Sequence, residues 1–80
     1  SGADLRGQSR SKKTAMARQI AMYLMRNLTN LPLKEIGEEF GGRNHATVLS
    51  SIRKVEELLK SDPDISATVR DITSNINSKN

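Results

Sequence analysis

Leu33-Lys34-Glu35-Ile36-Gly37-Glu38-Glu39-Phe40-Gly41-Gly42-Arg43-Asn44-His45-Ala46-Thr47-Val48 is the stretch on which the fold turns. Leu33, Ile36 and Phe40 recur at spacings of three and four, with Glu35, Glu38 and Glu39 facing outward, which predicts a short helix. Gly41-Gly42 ends it, because glycine accepts the positive φ that a helix C-terminus often requires. Asn44 then suits the N-cap of a further helix, its side-chain oxygen being able to accept a first-turn N–H. A short helix, a tight glycine turn and a longer helix have the form of a helix-turn-helix over residues 33–60. A plain structural hairpin in a compact helical domain would carry the same signals. Against that stands the polarity of the longer helix's first turn. Arg43, Asn44, His45 and Thr47 gather where a recognition helix presents its N-terminal side chains to base edges.

Helical patterns flank this stretch on both sides. Met16, Ile20, Leu24 and Leu28 repeat at four, with Ala17, Ala21 and Tyr23 in the same broad stripe, predicting a helix over residues 12–27. Ahead of it, residues 1–11 contain Gly2, Gly7 and three serines among scattered charges. They read as a flexible basic arm or loop with at most one helical turn. Thr29-Asn30-Leu31-Pro32 breaks the first long helix. Val48, Ile52, Val55 and Leu59, widened by Leu49 and Leu58, carry the helix after Asn44 to residue 60. Asp62 with Pro63 at the first helical position then opens a C-terminal helix over 62–77, striped by Ile65, Val69, Ile72 and Ile76. Every turn signal falls between helical patterns, so the expected fold class is all-α, a compact single domain over 1–80.

Size and composition narrow the function. At 80 residues, about 60% of the unfolded chain's surface can be buried, and little interior is left for buried polar chemistry. There is no cysteine, and His45 is the one histidine, so neither a thiolate nor a histidine metal cluster is available. The chain contains no G-x-x-x-x-G-K-[ST] loop and no H-E-x-x-H, and no paired-carboxylate cleft that so small a core could enclose. No catalytic residue, metal site or cofactor is expected, and the chain does not read as an enzyme. No apolar run approaches the roughly 20 residues that span a bilayer, so a cytoplasmic location without membrane contact is expected.

The net charge of +4 is unevenly placed. Residues 1–28 carry Arg6, Arg10, Lys12, Lys13, Arg18 and Arg26 against Asp4 alone, whereas residues 29–60 balance. Clustered Lys and Arg gain free energy by releasing condensed counterions from a phosphate backbone, although a merely solvated charged face would look the same. Two further properties of the predicted helix start at residue 44 favour a nucleic acid. Its backbone N–H groups and positive dipole end attract a phosphate without reading sequence. Its side chains can discriminate: Asn44 toward adenine, His45 as donor or acceptor, and the methyls of Ala46 and Thr47 toward thymine. The plainer roles are an N-cap for Asn44 and an exposed cap-turn residue for His45.

Arg18-Gln19-Ile20-Ala21-Met22-Tyr23-Leu24, Leu33-Lys34-Glu35-Ile36-Gly37 and Phe40-Gly41-Gly42-Arg43-Asn44-His45-Ala46-Thr47-Val48 together resemble the C-terminal domain, domain IV, of the bacterial replication initiator DnaA. The resemblance covers about residues 3–77. It implies a Trp-repressor-like helix-turn-helix domain that binds double-stranded DNA at the A/T-rich DnaA boxes of a replication origin, on the nucleoid and as a monomer. The family's usual recognition turn, Arg-Asp-His-Thr-Thr, is matched here by Arg43 to Thr47, with Asn44 for the aspartate and Ala46 for the first threonine. His45 and Thr47 match, so base contacts carry over to them. An arginine that enters the minor groove from a basic loop aligns with Arg10. Ser11, Lys12, Arg18, Gln19, Lys34, Arg43 and Lys54 fall where the family contacts phosphates or nearby base edges. Lys34 stands where proline is common. Lys13, Arg26, Arg53 and Lys60 read as solvated-face residues.

Two other functions fit parts of the chain. A helical protein-interaction module would account better for the acidic outer face of Glu35, Glu38 and Glu39. A helix-turn-helix transcription regulator would share the DNA contacts but would normally dimerise to read a two-fold site, and no spare apolar stripe suggests it.

Overall fold

The computed structural model describes the backbone of residues 2–78 and the side chains of residues 11–78. Four helices follow one another: α1 (Gly2–Leu28), α2 (Leu33–Glu39), α3 (His45–Ser61) and α4 (Pro63–Ser78). No strand occurs among the described residues. α3 packs against each of the other three helices and is the axis of the fold.

The arm or loop expected over residues 1–11 is corrected, because α1 begins at Gly2 and runs 27 residues without interruption. Ala3, Leu5, Arg6, Gln8, Arg10, Lys12 and Lys13 are all good helix formers, and no proline precedes Pro32. An isolated glycine such as Gly7 costs a helix about 1 kcal/mol, which weakens but does not break it. Arg10 therefore has helical backbone, and its side chain lies outside the described residues.

α1 ends where the sequence breaks it. The Thr29 N–H donates to the Met25 carbonyl at 3.1 Å, and the Thr29 hydroxyl bonds to the same oxygen. The Leu31 N–H then donates to Thr29 Oγ1 at 3.2 Å, turning the chain toward Pro32, whose carbonyl accepts the first helical bond of α2 from Ile36. The boundary between α3 and α4 is set by Asp62. Its Oδ1 accepts the N–H groups of Asp64 at 2.9 Å and Ile65 at 3.3 Å, with Pro63 first in the helix as expected.

Two clusters form the core. Met22, Ile36, Val48 and Ile52 bind α1, α2 and α3 together, and Ile20, Val55 and Val69 bind α1, α3 and α4. Tyr23 packs against both. Met22 is wholly buried, whereas Leu28 and Ile76, read from spacing as core, are each 43% exposed and Ala17 is exposed. The seat of α1 is thus rotated from the stripe at spacing four toward Met22, because α2 covers that side of the helix near its C-terminal end.

Candidate nucleic-acid interface

The turn between α2 and α3 is built on one carbonyl. Gly37 O accepts the N–H groups of Phe40 at 3.1 Å, Gly42 at 3.1 Å and Arg43 at 3.0 Å. Gly41 and Gly42 hold φ of 86° and 80°, the left-handed region that glycine enters without a steric cost, as the sequence implies. Gly37 serves a different purpose. A Cβ on it would lie 2.0 Å from the backbone oxygen of Arg43, so only a residue without a side chain lets the turn fold back onto α2. Sequence reasoning assigned Gly37 no role. Its one signal was a glycine inside a helical pattern, beside the buried Ile36.

This turn fixes how α3 begins. Asn44 has extended backbone (φ −74°, ψ 164°) and its Oδ1 accepts the Thr47 N–H at 2.9 Å, the cap expected of it. Val48, Ile52 and Val55 then bury one face of α3. Arg43, Asn44, His45 and Ala46 are left exposed, and Thr47 is half-buried with its carbonyl accepting from Ser50 Oγ. Five consecutive residues with exposed or half-exposed side chains therefore stand on a rigidly seated helix start.

Cationic side chains line two hollows, one of them at that start. At the helix start, a groove of about 750 Å³ is lined by Arg26, Lys34, Glu38, Arg43, Asn44 and His45 together with Pro32, Leu33 and Gly42. Further along α3, a cavity of about 250 Å³ gathers Lys12, Gln19 and Lys54 with Ala15 and Met16. The structure thus brings Lys34, Arg43, Asn44 and His45 into one group and Lys12, Gln19 and Lys54 into another. Ser11 is exposed and Arg18 half-buried on α1, and neither lines these two cavities.

Arg26 is the residue that sequence reasoning set aside. Lys12, Gln19 and Arg26 are spaced by seven, close to two helical turns, so they share one face of α1 and join the two cavities along a single edge. The Arg26 guanidinium donates from Nη1 to the Leu31 carbonyl at 3.1 Å, which holds it beside Lys34 and leaves its other N–H groups for an anion. That heptad spacing was the available signal. Lys60, by contrast, makes only a solvated pair with Glu57 at 3.5 Å, in keeping with a surface role.

No group of three or more His, Cys, Asp or Glu residues able to hold a metal occurs among the described residues. No described helix is long and apolar enough to cross a membrane.

A short α2, a turn tied to Gly37 and a longer α3 with an exposed polar first turn beside a basic groove define a helix-turn-helix domain of the nucleic-acid-binding class. Residues 1–55 match the family model described as the bacterial dnaA protein helix-turn-helix, and the chain belongs to that family. It is 50% identical over 74 residues to the chromosomal replication initiator protein DnaA of Crocosphaera subtropica, covering 92% of this chain and 16% of the relative. The protein of the same name from Leifsonia xyli is 53% identical over 73 residues, 91% of this chain and 15% of its own length. That from Gloeothece citriformis is 49% identical over 73 residues, 91% of this chain and 16% of its own length. The chain thus spans about a sixth of the relatives it matches.

Proposed function

We propose that this domain binds double-stranded DNA sequence-specifically at A/T-rich DnaA boxes of a replication origin, as the origin-recognition module of a replication initiator. The observation that carries this reading is the exposed turn Arg43 to Thr47, held by the Gly37 carbonyl and the Asn44 cap beside a groove that also holds Arg26 and Lys34. A helix seated in this way enters the major groove by its N-terminus, and the cationic side chains along its neighbour meet the phosphates. His45 and Thr47 read bases, Ala46 offers a methyl-sized contact, and Arg43 anchors a phosphate. Lys34 and Arg26, with Ser11, Lys12, Arg18, Gln19 and Lys54, contact the phosphate backbone or base edges nearby. The family resemblance assigns to Arg10 a contact in the adjoining minor groove, whose potential is most negative where A/T-rich sequence narrows it. The domain acts as a monomer on the nucleoid, without catalysis or cofactor of its own.

The family match and the names of the relatives support this assignment over a helical protein-interaction module. A titration against box and scrambled duplexes at physiological salt tests it. Preference for the box, weakened selectively by Arg10→Ala and His45→Ala, is the expected result. Equal affinity for both duplexes overturns it.

A further inference from the structure

Asn44 has two polar side-chain atoms, and the fold uses one of them. Oδ1 accepts the Thr47 N–H at 2.9 Å and so caps α3. An amide nitrogen with its two hydrogens cannot accept, so the side chain cannot rotate by half a turn and keep the cap. The amide orientation is therefore dictated by the helix. Because the amide group is planar and Oδ1 is turned to the α3 backbone, Nδ2 is turned away from it, and it makes no hydrogen bond among the described residues. Asn44 is exposed and lines the same groove as Arg43 and His45, at the start of the helix proposed to enter the major groove.

We infer that Asn44 is a specificity-determining residue that presents only a donor to the DNA, selecting a base with a major-groove acceptor and rejecting cytosine. The inference rests on the DNA-binding reading above. Guanine offers N7 and O6 in the major groove, thymine O4 and adenine N7, whereas the polar group of cytosine there is the N4 amino donor. The two-bond pairing of an asparagine with adenine needs oxygen and nitrogen together, and the oxygen is held by Thr47. Adenine is thus taken through N7 alone, and guanine or thymine is accepted at least as well. An aspartate in the same cap would place its second oxygen where Nδ2 now lies, and its selection would be the inverse.

The test uses the whole 80-residue chain. Its affinity is measured for a preferred duplex and for all single-base variants, alongside Asn44→Asp and Asn44→Ser. The wild type should bind duplexes with guanine or thymine at one position roughly 5- to 50-fold more tightly than the same duplex with cytosine there. Asn44→Asp should fold with an unchanged melting temperature and bind all duplexes more weakly because of its charge. Its preference at that one position should reverse toward cytosine. Asn44→Ser keeps a capping oxygen and has no amide, so it should lose discrimination at that position and keep it elsewhere. A wild type that prefers cytosine there, or three proteins whose base ratios agree within twofold at every position, would overturn the inference while leaving the DNA-binding reading intact. Absence of sequence preference in the wild type would remove both.

Discussion

His45 and Thr47 sit two residues apart and are held very differently. His45 is exposed at the first position of α3, while Thr47 is half-buried, gives its N–H to Asn44 and accepts from Ser50. His45→Ala should therefore cost about 1–3 kcal/mol of binding to the preferred duplex and relax sequence preference, with the melting temperature unchanged. Competition titrations beside a thermal melt separate those readouts. Arg26→Ala should weaken all duplexes alike and lower the slope of log affinity against log salt by about 0.9, as expected of one lost phosphate contact. A salt titration of wild type and variant checks this. The polar turn and its cap were legible from residue types alone, because Asn, His and Thr next to Gly-Gly have few other uses. For Arg26 the heptad spacing from Lys12 and Gln19 was legible, but its place beside Lys34 was not, because that depends on the return of the chain through Pro32.

Within the α2–α3 element, glycine has two separate meanings. Alanine in place of glycine in a helix interior ordinarily stabilises by about 1 kcal/mol, yet Gly37→Ala would drive a methyl into the Arg43 carbonyl. The steric cost should outweigh the propensity gain, with a net loss of about 1–3 kcal/mol in denaturant unfolding and a parallel loss of DNA affinity as α3 tilts. Gly41→Ala meets nothing within 4 Å and should suffer only the left-handed penalty of about 1–2 kcal/mol. The turn glycines could be read from their doublet. The third glycine could not, because its reason is a close approach across six residues that no local pattern announces. The start of α1 was misread for the opposite cause. Glycines and serines suggested a loop, but propensity summed over the segment favours the helix that forms.

For the molecule as a whole, stability is concentrated where α3 meets its three neighbours. Met22 is wholly buried among Ile36, Val48 and Ile52, so Met22→Ala should cost about 2–5 kcal/mol, a large share of what a domain this small possesses. Leu28→Ala, at a site 43% exposed, should cost well under half as much. Thermal melts of the two variants check this ranking, which the stripe at spacing four would have reversed. Periodicity identified four amphipathic helices but not which edge of α1 faces inward, because that depends on where α2 lies across it. Fold class survived such errors because it needs only the count and order of helices.

The Gly37 carbonyl binds three amide groups that belong to no regular helix ladder, those of Phe40, Gly42 and Arg43. A fluctuation that turns the Gly37 carbonyl away withdraws the acceptor from all three at once. In native-state hydrogen exchange the three amides should therefore share one opening free energy and respond together to denaturant. Bound DNA, pressing on Arg43 from outside, should slow all three by a common factor, so that exchange at Phe40, which the DNA need not touch, would report occupancy of the helix beyond it.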